Sequence, residues 1–484
     1  MAYYLGLDLG TSSLKALLID ERQTAVATAH APLSVQRPRY GWSEQDPASW
    51  IEAARGAIVE LARQAPEAMA QVRGIGLSGQ MHGATLLDAD HAVLRPCILW
   101  NDSRADEEAQ ALDDDESRAI TGNIVFPGFT APKLVWVARH EPQLRERLAH
   151  VLLPKDYLRL WLTGEMLSDL SDSAGTSWLD TGARRWSARM LEKTGLDGSV
   201  MPGLVEGTEP AGRLRDDLAR DLGLPAGIVV AGGAGDNAAS ACGVGVTRSG
   251  TGFVSLGTSG VLFTPSHGYE PAPETALHTF CHAIPGLWHH MGVTLSAAGS
   301  LEWLAGVVGQ TPQALAGEIA QAPDEASRLL FLPYLAGERT PHNDAVVRGA
   351  FVGLSAETTR SDMTRSVMEG VAFSMRACQE AGGGVKGEGP LIAVGAGSRS
   401  AVWLQILADV LGRDIVLPAS GDFGAAFGAA RLGLIAATGA DPVAVCSQPE
   451  TARTIEPVAD LADAYEEAYR RYHAVYPAIR ALSH

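Results

Sequence analysis

The sequence predicts an α/β protein that is built from two similar domains. A chain of 484 residues is too long for one ordinary hydrophobic core, so two domains are expected. Short apolar runs that end in glycine alternate with segments of helical spacing in both halves, which is the pattern of α/β layers. The same short motif opens each half, and a glycine-containing connection near residues 245–250 separates the halves. We therefore expect domains at residues 1–246 and 247–484.

The motif that opens each half is an apolar run, a Gly-Thr-Ser turn and a second apolar run. This pattern predicts a β-hairpin whose tip presents backbone N–H groups and small hydroxyls, which suit a polyphosphate. The tip residues are Gly10, Thr11 and Ser12 in the first copy and Gly257 and Thr258 in the second. Asp8 of the first copy is replaced by Ser255 in the second, so only the first hairpin offers a carboxylate to a metal or a reacting phosphoryl group. Two ordinary hairpins are the alternative, because Gly-Thr-Ser is a common turn composition.

The composition excludes several classes of protein. The formal net charge of −18 argues against a general affinity for nucleic acid or for an anionic membrane. It permits anionic ligands, because backbone N–H groups and helix N-termini create local positive potential. Five scattered cysteines without Cys-x-x-Cys spacing indicate buried free thiols in a reducing compartment. With no basic leader and no apolar run of membrane-spanning length, we expect a cytoplasmic protein.

Two buried strands of the first half are expected to end in polar loops. The first strand, at 72–78, follows a segment of helical spacing at 50–70. The loop residues are Gln80, Met81 and His82 after the first strand and Trp100 and Asp102 after the second. Loops on a rigid strand commonly bind ligands, although a hydrogen-bonded structural histidine is the alternative for His82. The acidic stretch 106–116 that follows is predicted as an exposed helix.

A third strand, at 227–232, leads through a glycine-rich loop into a helix of small residues at 238–244. This combination places the carboxylate of Asp236, with its neighbour Asn237, beside an anion site at a helix N-terminus. Asp236 is therefore a candidate general base. An ordinary N-cap is the alternative, since aspartate fills that position often.

The second half repeats the arrangement of strand, glycine turn and helix. Helical segments are expected at 296–307, 361–379 and 401–411, with a strand at 391–394. The turn after that strand consists of Gly395, Ala396 and Gly397. Such a turn lets a nucleotide lie close to the backbone, although glycines at strand ends are common in α/β folds.

Together these parts match the demands of phosphoryl transfer. That reaction requires a protein to position donor and acceptor, to neutralise charge through a metal, and to orient the nucleophile with a carboxylate. The chain has neither a Gly-x-x-x-x-Gly-Lys-Ser/Thr loop nor a His-Arg-Asp catalytic loop. The sequence therefore predicts a kinase that is unlike both P-loop enzymes and protein kinases.

The chain resembles the FGGY carbohydrate kinases of the sugar kinase, Hsp70 and actin superfamily, and the resemblance is closest to the bacterial xylulokinase branch. Two long signatures of the family are matched at 128–137 and 349–369. Further similar segments are found at 41–47, 79–88, 98–102, 153–160 and 334–343. The resemblance implies two actin-like, ribonuclease H-like domains with a catalytic cleft between them. The nucleotide turn has alanine at 396 where many relatives have glycine, which leaves the nucleotide pose open.

The resemblance also implies an activity, namely transfer of the γ-phosphate of ATP to O5 of D-xylulose with Mg²⁺. It assigns the role of general base to Asp236 and places Asp8 near the metal, through water. The implied sugar-binding residues are Gln80, Met81, His82, Trp100, Asp102 and Asn237. The implied nucleotide-binding residues are Gly10, Thr11, Ser12, Gly257, Thr258, Gly395, Ala396 and Gly397. The expected partners are a small sugar and ATP; dimers are common among relatives, but no segment demonstrates a homodimer.

Three alternatives stay open on the sequence alone. The same machinery could phosphorylate ribulose, gluconate, glycerol or another polyol. A superfamily member that uses ATP only as a conformational switch would hydrolyse ATP without an acceptor. A catalytically silent sugar sensor is the third, and the retention of both Asp8 and Asp236 argues against it.

Overall fold

The computed structural model describes residues 1–320, 325–382, 389–419, 421 and 423–483. Two seven-stranded mixed sheets, one in each half of the chain, form its centre, and helices cover them. The α/β class expected from the sequence is therefore confirmed. In the part of the chain that is described, no helix has both the length and the apolar character needed to cross a membrane.

The first half contains fifteen strands and eleven α-helices. Its strands are β1 (Tyr3–Leu9), β2 (Ser13–Asp20), β3 (Ala25–Pro32), β4 (Glu44–Gln45), β5 (Val72–Gly79), β6 (Thr85–Leu87), β7 (Cys97–Ile98), β8 (His150–Leu152), β9 (Leu167–Asp169), β10 (Leu179–Asp180), β11 (Arg185–Trp186), β12 (Gly203–Val205), β13 (Pro210–Arg213), β14 (Val229–Ala231) and β15 (Ala234–Gly235). Its helices are α1 (Pro47–Gln64), α2 (Pro66–Met69), α3 (Asp106–Leu112), α4 (Asp115–Thr121), α5 (Thr130–His140), α6 (Pro142–Arg147), α7 (Pro154–Thr163), α8 (Leu170–Ser173), α9 (Ala188–Lys193), α10 (Asp216–Leu222) and α11 (Asp236–Val244).

The described residues of the second half form nine strands and seven α-helices. The strands are β16 (Gly252–Leu256), β17 (Gly260–Ser266), β18 (His278–Cys281), β19 (Trp288–Thr294), β20 (Leu330–Leu332), β21 (Ala350–Val352), β22 (Leu391–Val394), β23 (Ile415–Pro418) and β24 (Thr451–Ile455). The helices are α12 (Ala298–Val308), α13 (Pro312–Ile319), α14 (Arg360–Ala381), α15 (Ala401–Leu411), α16 (Ala425–Thr438), α17 (Pro442–Val445) and α18 (Ala462–Ser483).

The two sheets share one topology. In the first, the antiparallel strands β3, β2 and β1 are followed by β5 and β14, which run parallel to β1. In the second, β19, β17 and β16 are followed in the same way by β22 and β23. Both predicted hairpins exist: Asp8 pairs with Lys15 in one, and Ser255 with Val261 in the other. The repeated motif is thus the first hairpin of each of two similarly connected sheets.

Two predictions about the first half were only partly right. Pro66 begins a new helix, so the segment predicted at 50–70 is divided into α1 and α2. The acidic stretch 106–116 is divided into α3 and α4, and Glu108 within it is buried. The five cysteines are buried free thiols, as expected.

The two halves are joined by unusually close packing of α16, which belongs to the second half, on β1 and β5 of the first. A Cβ atom added at Gly6 or Gly76 would overlap a backbone carbonyl of α16. Where α16 crosses α11, a Cβ at Gly428 would overlap the carbonyl of Ala239. Only glycine permits such an approach of backbone to backbone.

A buried arginine reinforces this junction. Arg431 of α16 donates hydrogen bonds to the carbonyl of Cys242 in α11 at 2.8 Å and to that of Ser447 at 2.9 Å. The structure therefore places one helix of the second half on the sheet of the first. The domain division at residues 246 and 247 stays a prediction.

Gly428→Ala tests the packing constraint. Because the new Cβ would meet the carbonyl of Ala239, we expect a loss of about 1–3 kcal/mol in the free energy of unfolding, despite the better helix propensity of alanine. Denaturant unfolding followed by circular dichroism measures the change. The matched control is Gly306→Ala in α12, where a Cβ meets no atom within 4 Å; it should stabilise the protein by about 0.5–1 kcal/mol. Equal effects of the two substitutions would contradict the constraint.

Candidate active site

Strand register brings the two candidate carboxylates to one edge of the first sheet. Asp8 of β1 lies opposite Ser78 of β5, and Ser78 lies opposite Ala234 of β15. Asp236 follows two residues later as the first residue of α11. The Ser78 hydroxyl donates to Asp8 Oδ1 at 3.0 Å, which fixes the orientation of that carboxylate. The carboxyl ends of these parallel strands thus form the floor of a candidate active site.

The carboxylate of Asp236 is oriented and electrostatically perturbed. The backbone N–H of Asn237 and its side-chain Nδ2 donate to Asp236 Oδ1 at 2.7 and 2.9 Å. Burial, and then the negative charge of Asp8, raise the pKa of Asp236 to about 6, against the lowering effect of the Asn237 hydrogen bonds. Gly235 occupies the N-cap position of α11, and no side chain caps that helix. The N-cap alternative for Asp236 is therefore not favoured, and a carboxylate with this pKa can accept a proton near neutral pH.

A fully buried ionic cluster supports the loop that carries Asp236. Lys155 contacts the carboxylates of Asp156 at 2.6 Å, Asp169 at 2.6 Å and Asp172 at 3.3 Å. Burial raises the pKa of Asp172 well above its usual range, against the attraction of Lys155.

Two hydrogen bonds connect this region to the loop. The backbone N–H of Gly235 donates to the Ser171 hydroxyl at 3.1 Å, and the guanidinium of Arg159 donates to the carbonyl of Gly232. Sequence reasoning missed this support. The sequence signal that could have indicated a buried ionic cluster is the group of charged residues within the otherwise apolar helix α7.

The ring of His82 is held in one orientation by two contacts. Its Nδ1 lies 2.7 Å from the carbonyl oxygen of Gly175, and its ring stacks on Phe129 at a centroid distance of 4.5 Å. Burial lowers the pKa of His82 to about 3, so the ring is neutral at neutral pH. Because a carbonyl only accepts hydrogen bonds, Nδ1 carries the proton and Nε2 is left as an acceptor. His82 is thus a hydrogen-bonded ring, as one alternative expected, and its predicted contact with a sugar stays a prediction.

A hydrogen-bond network joins the tip of the first hairpin to the two polar loops. The Thr11 hydroxyl donates to Gln80 Oε1 at 2.8 Å and accepts from Trp100 Nε1 at 3.0 Å. The buried Gln45 donates to the carbonyl of Thr11 at 2.6 Å and accepts from Gln80 Nε2 at 2.9 Å. Thr11 was predicted to bind nucleotide and Gln80 and Trp100 to bind sugar, so the network connects the two predicted sites. Gln45 was not predicted as a site residue.

Met81 and Asp102, both predicted to bind sugar, differ in their surroundings. Met81 packs against Gly235, where a Cβ would lie 2.8 Å from its sulfur, and so borders the loop of Asp236. The carboxylate of Asp102 is buried and accepts hydrogen bonds from the backbone of Ser43 and from Arg104. These contacts favour a structural role for Asp102 in place of the predicted sugar contact.

The predicted nucleotide residues of the second half converge on α12. The carbonyl oxygens of Gly257 and Thr258 accept hydrogen bonds from Ala298 and Ala297, each at 2.8 Å, which anchors the hairpin tip on the start of that helix. Gly395 has φ +88°, and a Cβ there would lie 2.9 Å from the backbone of Leu256. The glycine turn therefore lies directly against the end of β16.

A cavity of about 230 Å³ opens beside this turn. Its walls come from α12, from α13, from the turn and from the start of α15. The lining residues are Ala298, Leu301, Glu302, Pro312, Gln313, Ala316, Ala396, Gly397, Arg399, Ser400 and Trp403. Its mixture of apolar walls and a few polar groups is typical of sites for small molecules and cofactors.

The comparisons with known proteins agree with this architecture. The family model for the N-terminal domain of the FGGY family of carbohydrate kinases matches residues 3–243, and that for the C-terminal domain matches 252–437. A protein named xylulose kinase from Escherichia coli (strain K12) is 47% identical over 444 residues, which are 90% of each chain. The crystal structure of a xyloylose kinase from Brucella ovis is 62% identical, with a TM-score of 0.97 over 99% of this chain and 100% of that one.

A further solved structure, that of a xylulose kinase from Rhodospirillum rubrum, is 32% identical and has a TM-score of 0.92 over the whole of both chains. The family models cover most of the chain, and these relatives are similar over nine-tenths of it or more. This protein therefore belongs to the FGGY family of carbohydrate kinases, in agreement with its two related sheets and the pair of carboxylates at the edge of the first.

Proposed function

We propose that this protein transfers the γ-phosphate of ATP to O5 of D-xylulose and so produces D-xylulose 5-phosphate and ADP. The similarity to proteins named xylulose kinase over 90% or more of the chain supports the choice of substrate. Phosphoryl transfer is supported mainly by the raised pKa of the Asp236 carboxylate, which lies near Asp8 at the edge of the first sheet.

Asp236 is the proposed general base. A sugar hydroxyl is a very weak acid, so its proton must leave as the bond to phosphorus forms. The free oxygen of the Asp236 carboxylate, Oδ2, would accept that proton, while the bonds from Asn237 hold Oδ1 in place. Bond formation between O5 and the γ-phosphorus, and cleavage of the bond to the β-phosphate oxygen, complete the transfer.

Mg²⁺ is the proposed metal, and the carboxylate of Asp8 is a ligand type that suits this ion. Among the described residues, no group of three or more His, Cys, Asp or Glu side chains could hold a metal. Mg²⁺ usually keeps several waters and binds through one or two carboxylates together with substrate phosphates. Asp8, whose charge already raises the pKa of Asp236, would hold it through water. The ion would supply charge neutralisation on the transferred phosphoryl group.

The remaining assignments are also proposals. We place the adenosine in the cavity beside Gly395, Ala396 and Gly397. The phosphates would lie between Gly10, Thr11 and Ser12 of the first hairpin and Gly257 and Thr258 of the second. The sugar would contact Gln80, Met81, His82, Trp100 and Asn237. The domain division at 246/247 and a cytoplasmic location, both inferred from the sequence, and a homodimer, which is common among relatives, also stay proposals.

ADP release by the purified protein tests the reaction and the acceptor together. We expect strong stimulation by D-xylulose in the presence of ATP and Mg²⁺, and none after Mg²⁺ is removed with EDTA. The acceptors to be compared are D-xylulose, D-ribulose, L-ribulose, gluconate and glycerol, with a reaction lacking any acceptor. Equal ADP release without acceptor would favour the ATPase switch, and preference for another polyol would overturn the proposed substrate.

Asp236→Asn isolates the proton transfer. The amide keeps the shape of the carboxylate but cannot accept the proton, so we expect kcat to fall by about 10²–10⁴-fold. The KM for ATP and the affinity for sugar, measured by calorimetry, should stay within a few-fold. The matched control is Asp216→Asn, because Asp216 is likewise the first residue of a helix but is exposed. Near-normal turnover of Asp236→Asn would remove this residue from the base role.

The rate should depend on pH with an acid limb near pH 6. Because the base acts in its ionised form, kcat/KM for D-xylulose should fall about tenfold per pH unit below the raised pKa of Asp236. Asn237→Ala removes a hydrogen bond that stabilises the ionised form, and it should move the acid limb to higher pH. A profile that is flat between pH 5 and 7 would contradict the assignment.

A further inference from the structure

Arg339 extends from the second half of the chain to the aromatic cluster around His82 in the first half. Its guanidinium carbon lies 4.7 Å from the ring centroid of Phe126. Phe126 contacts Phe129 edge to face at 5.3 Å, and Phe129 is the ring on which His82 stacks at 4.5 Å. Arg339 is therefore two aromatic rings away from the proposed sugar-binding histidine, and its positive charge contributes to lowering the pKa of His82.

The guanidinium of Arg339 has no hydrogen-bond acceptor and no ion-pair partner among the residues that the structure describes. The side chain is half-buried, and burial lowers its pKa. An arginine carries five N–H donors, and a desolvated guanidinium without an acceptor is unfavourable. A second polar atom of the same cluster, Nδ1 of the buried His278, also has no hydrogen bond within the described part of the chain. The guanidinium of the half-buried Arg339 can thus still donate to a ligand.

The neighbouring acidic residue does not satisfy this guanidinium. The carboxylate of Glu338 accepts hydrogen bonds from the Thr294 hydroxyl at 2.7 Å and from the backbone N–H groups of Leu295 at 3.0 Å and Arg339 at 2.8 Å. Glu338 therefore holds the loop in place through backbone groups and β19. Its bond to Arg339 is to the main chain, not to the side chain.

The loop that carries Arg339 is held at both ends. Glu338 and Asp344 exchange two backbone hydrogen bonds of 2.8 Å each, and the backbone N–H of Thr340 donates to the carbonyl of Val293 in β19 at 3.0 Å. Gly337, which precedes the pair, has φ +82°, a conformation that favours glycine. A loop backbone fixed in this way limits the reorganisation that ligand binding at Arg339 would require.

We infer that Arg339 is a sugar-binding residue, whose guanidinium donates hydrogen bonds to oxygen atoms of the acceptor at a position other than the reacting hydroxyl. The inference rests on the proposed function. His82 accepts through Nε2 and Arg339 donates, so the pair suits a polyhydroxy ketone, which presents both hydroxyl donors and a carbonyl acceptor. The bound sugar would then connect the two halves of the chain, with His82 on one side and Arg339 on the other.

Arg339→Met tests this inference, because methionine keeps an unbranched apolar stem and removes every donor. We expect the dissociation constant for D-xylulose, measured by calorimetry without nucleotide, to rise about 10- to 100-fold, as for loss of hydrogen bonds from a charged donor. The KM for ATP should stay within about twofold, and kcat at saturating sugar within a few-fold. Arg339→Lys keeps the positive charge and should show a smaller loss of sugar affinity. It replaces Arg339→Met as the test if the methionine variant does not fold.

The matched control is Arg184→Met. Arg184 also joins the two halves and lies over an aromatic ring, but its guanidinium already has partners in Glu206 at 2.8 Å and the carbonyl of Leu287 at 3.1 Å. Sugar affinity should be unchanged in that variant. Affinity of Arg339→Met within twofold of the wild type, or an equal loss in Arg184→Met, would overturn the inference. If the wild-type protein binds none of the panel of acceptors, the proposed function fails instead, and the two failures are thereby distinguished.

Discussion

The close contact of α16 with the first sheet and with α11 is the constraint on which the rest of the structure depends. Glycines at 6, 76 and 428 let backbone approach backbone, so a helix of the second half is fixed on the sheet of the first. The same helix holds α11 through Arg431. Because α11 begins at Asp236, its position relative to β1, and therefore to Asp8, is set by this packing. The catalytic geometry proposed for this kinase thus depends on three glycines, whose lack of a side chain lets α16 approach the first sheet and α11.

Burial, more than ion pairing, determines the protonation states around the cleft. It raises the pKa of Asp236 into the range useful for a base and keeps His82 neutral. Deeper in the same half, Lys155 contacts three carboxylates, and this cluster supports the loop that carries Asp236. The groups proposed to exchange a proton and to bind the sugar, Asp236 and His82, thus have pKa values that are set mainly by burial.

Local patterns predicted much of the fold. Both hairpins, β5, β22 and α15 were identified because apolar periodicity and glycine turns are properties of short segments. Contacts between distant segments were not predicted: the placement of α16 on the first sheet, the position of Gln45 between two loops, and the approach of Arg339 to Phe126. These contacts depend on tertiary packing, which the periodicity of a short segment does not reveal. Asp102 shows a limit of the local pattern itself. A polar residue that follows a strand can have its carboxylate occupied by hydrogen bonds within the protein, here from Arg104.

The hydroxyl of Thr11 is shared between Gln80 and Trp100, where the hairpin proposed to bind phosphate meets the loops proposed to bind sugar. Any nucleotide contact that draws this hydroxyl towards a phosphate changes the hydrogen bonding of both partners. The two ligands are then thermodynamically linked, and whatever factor ATP imposes on the affinity for sugar, the sugar imposes on the affinity for ATP. With nucleotide and sugar bound as proposed, the side chain of a single threonine would couple their binding within one subunit.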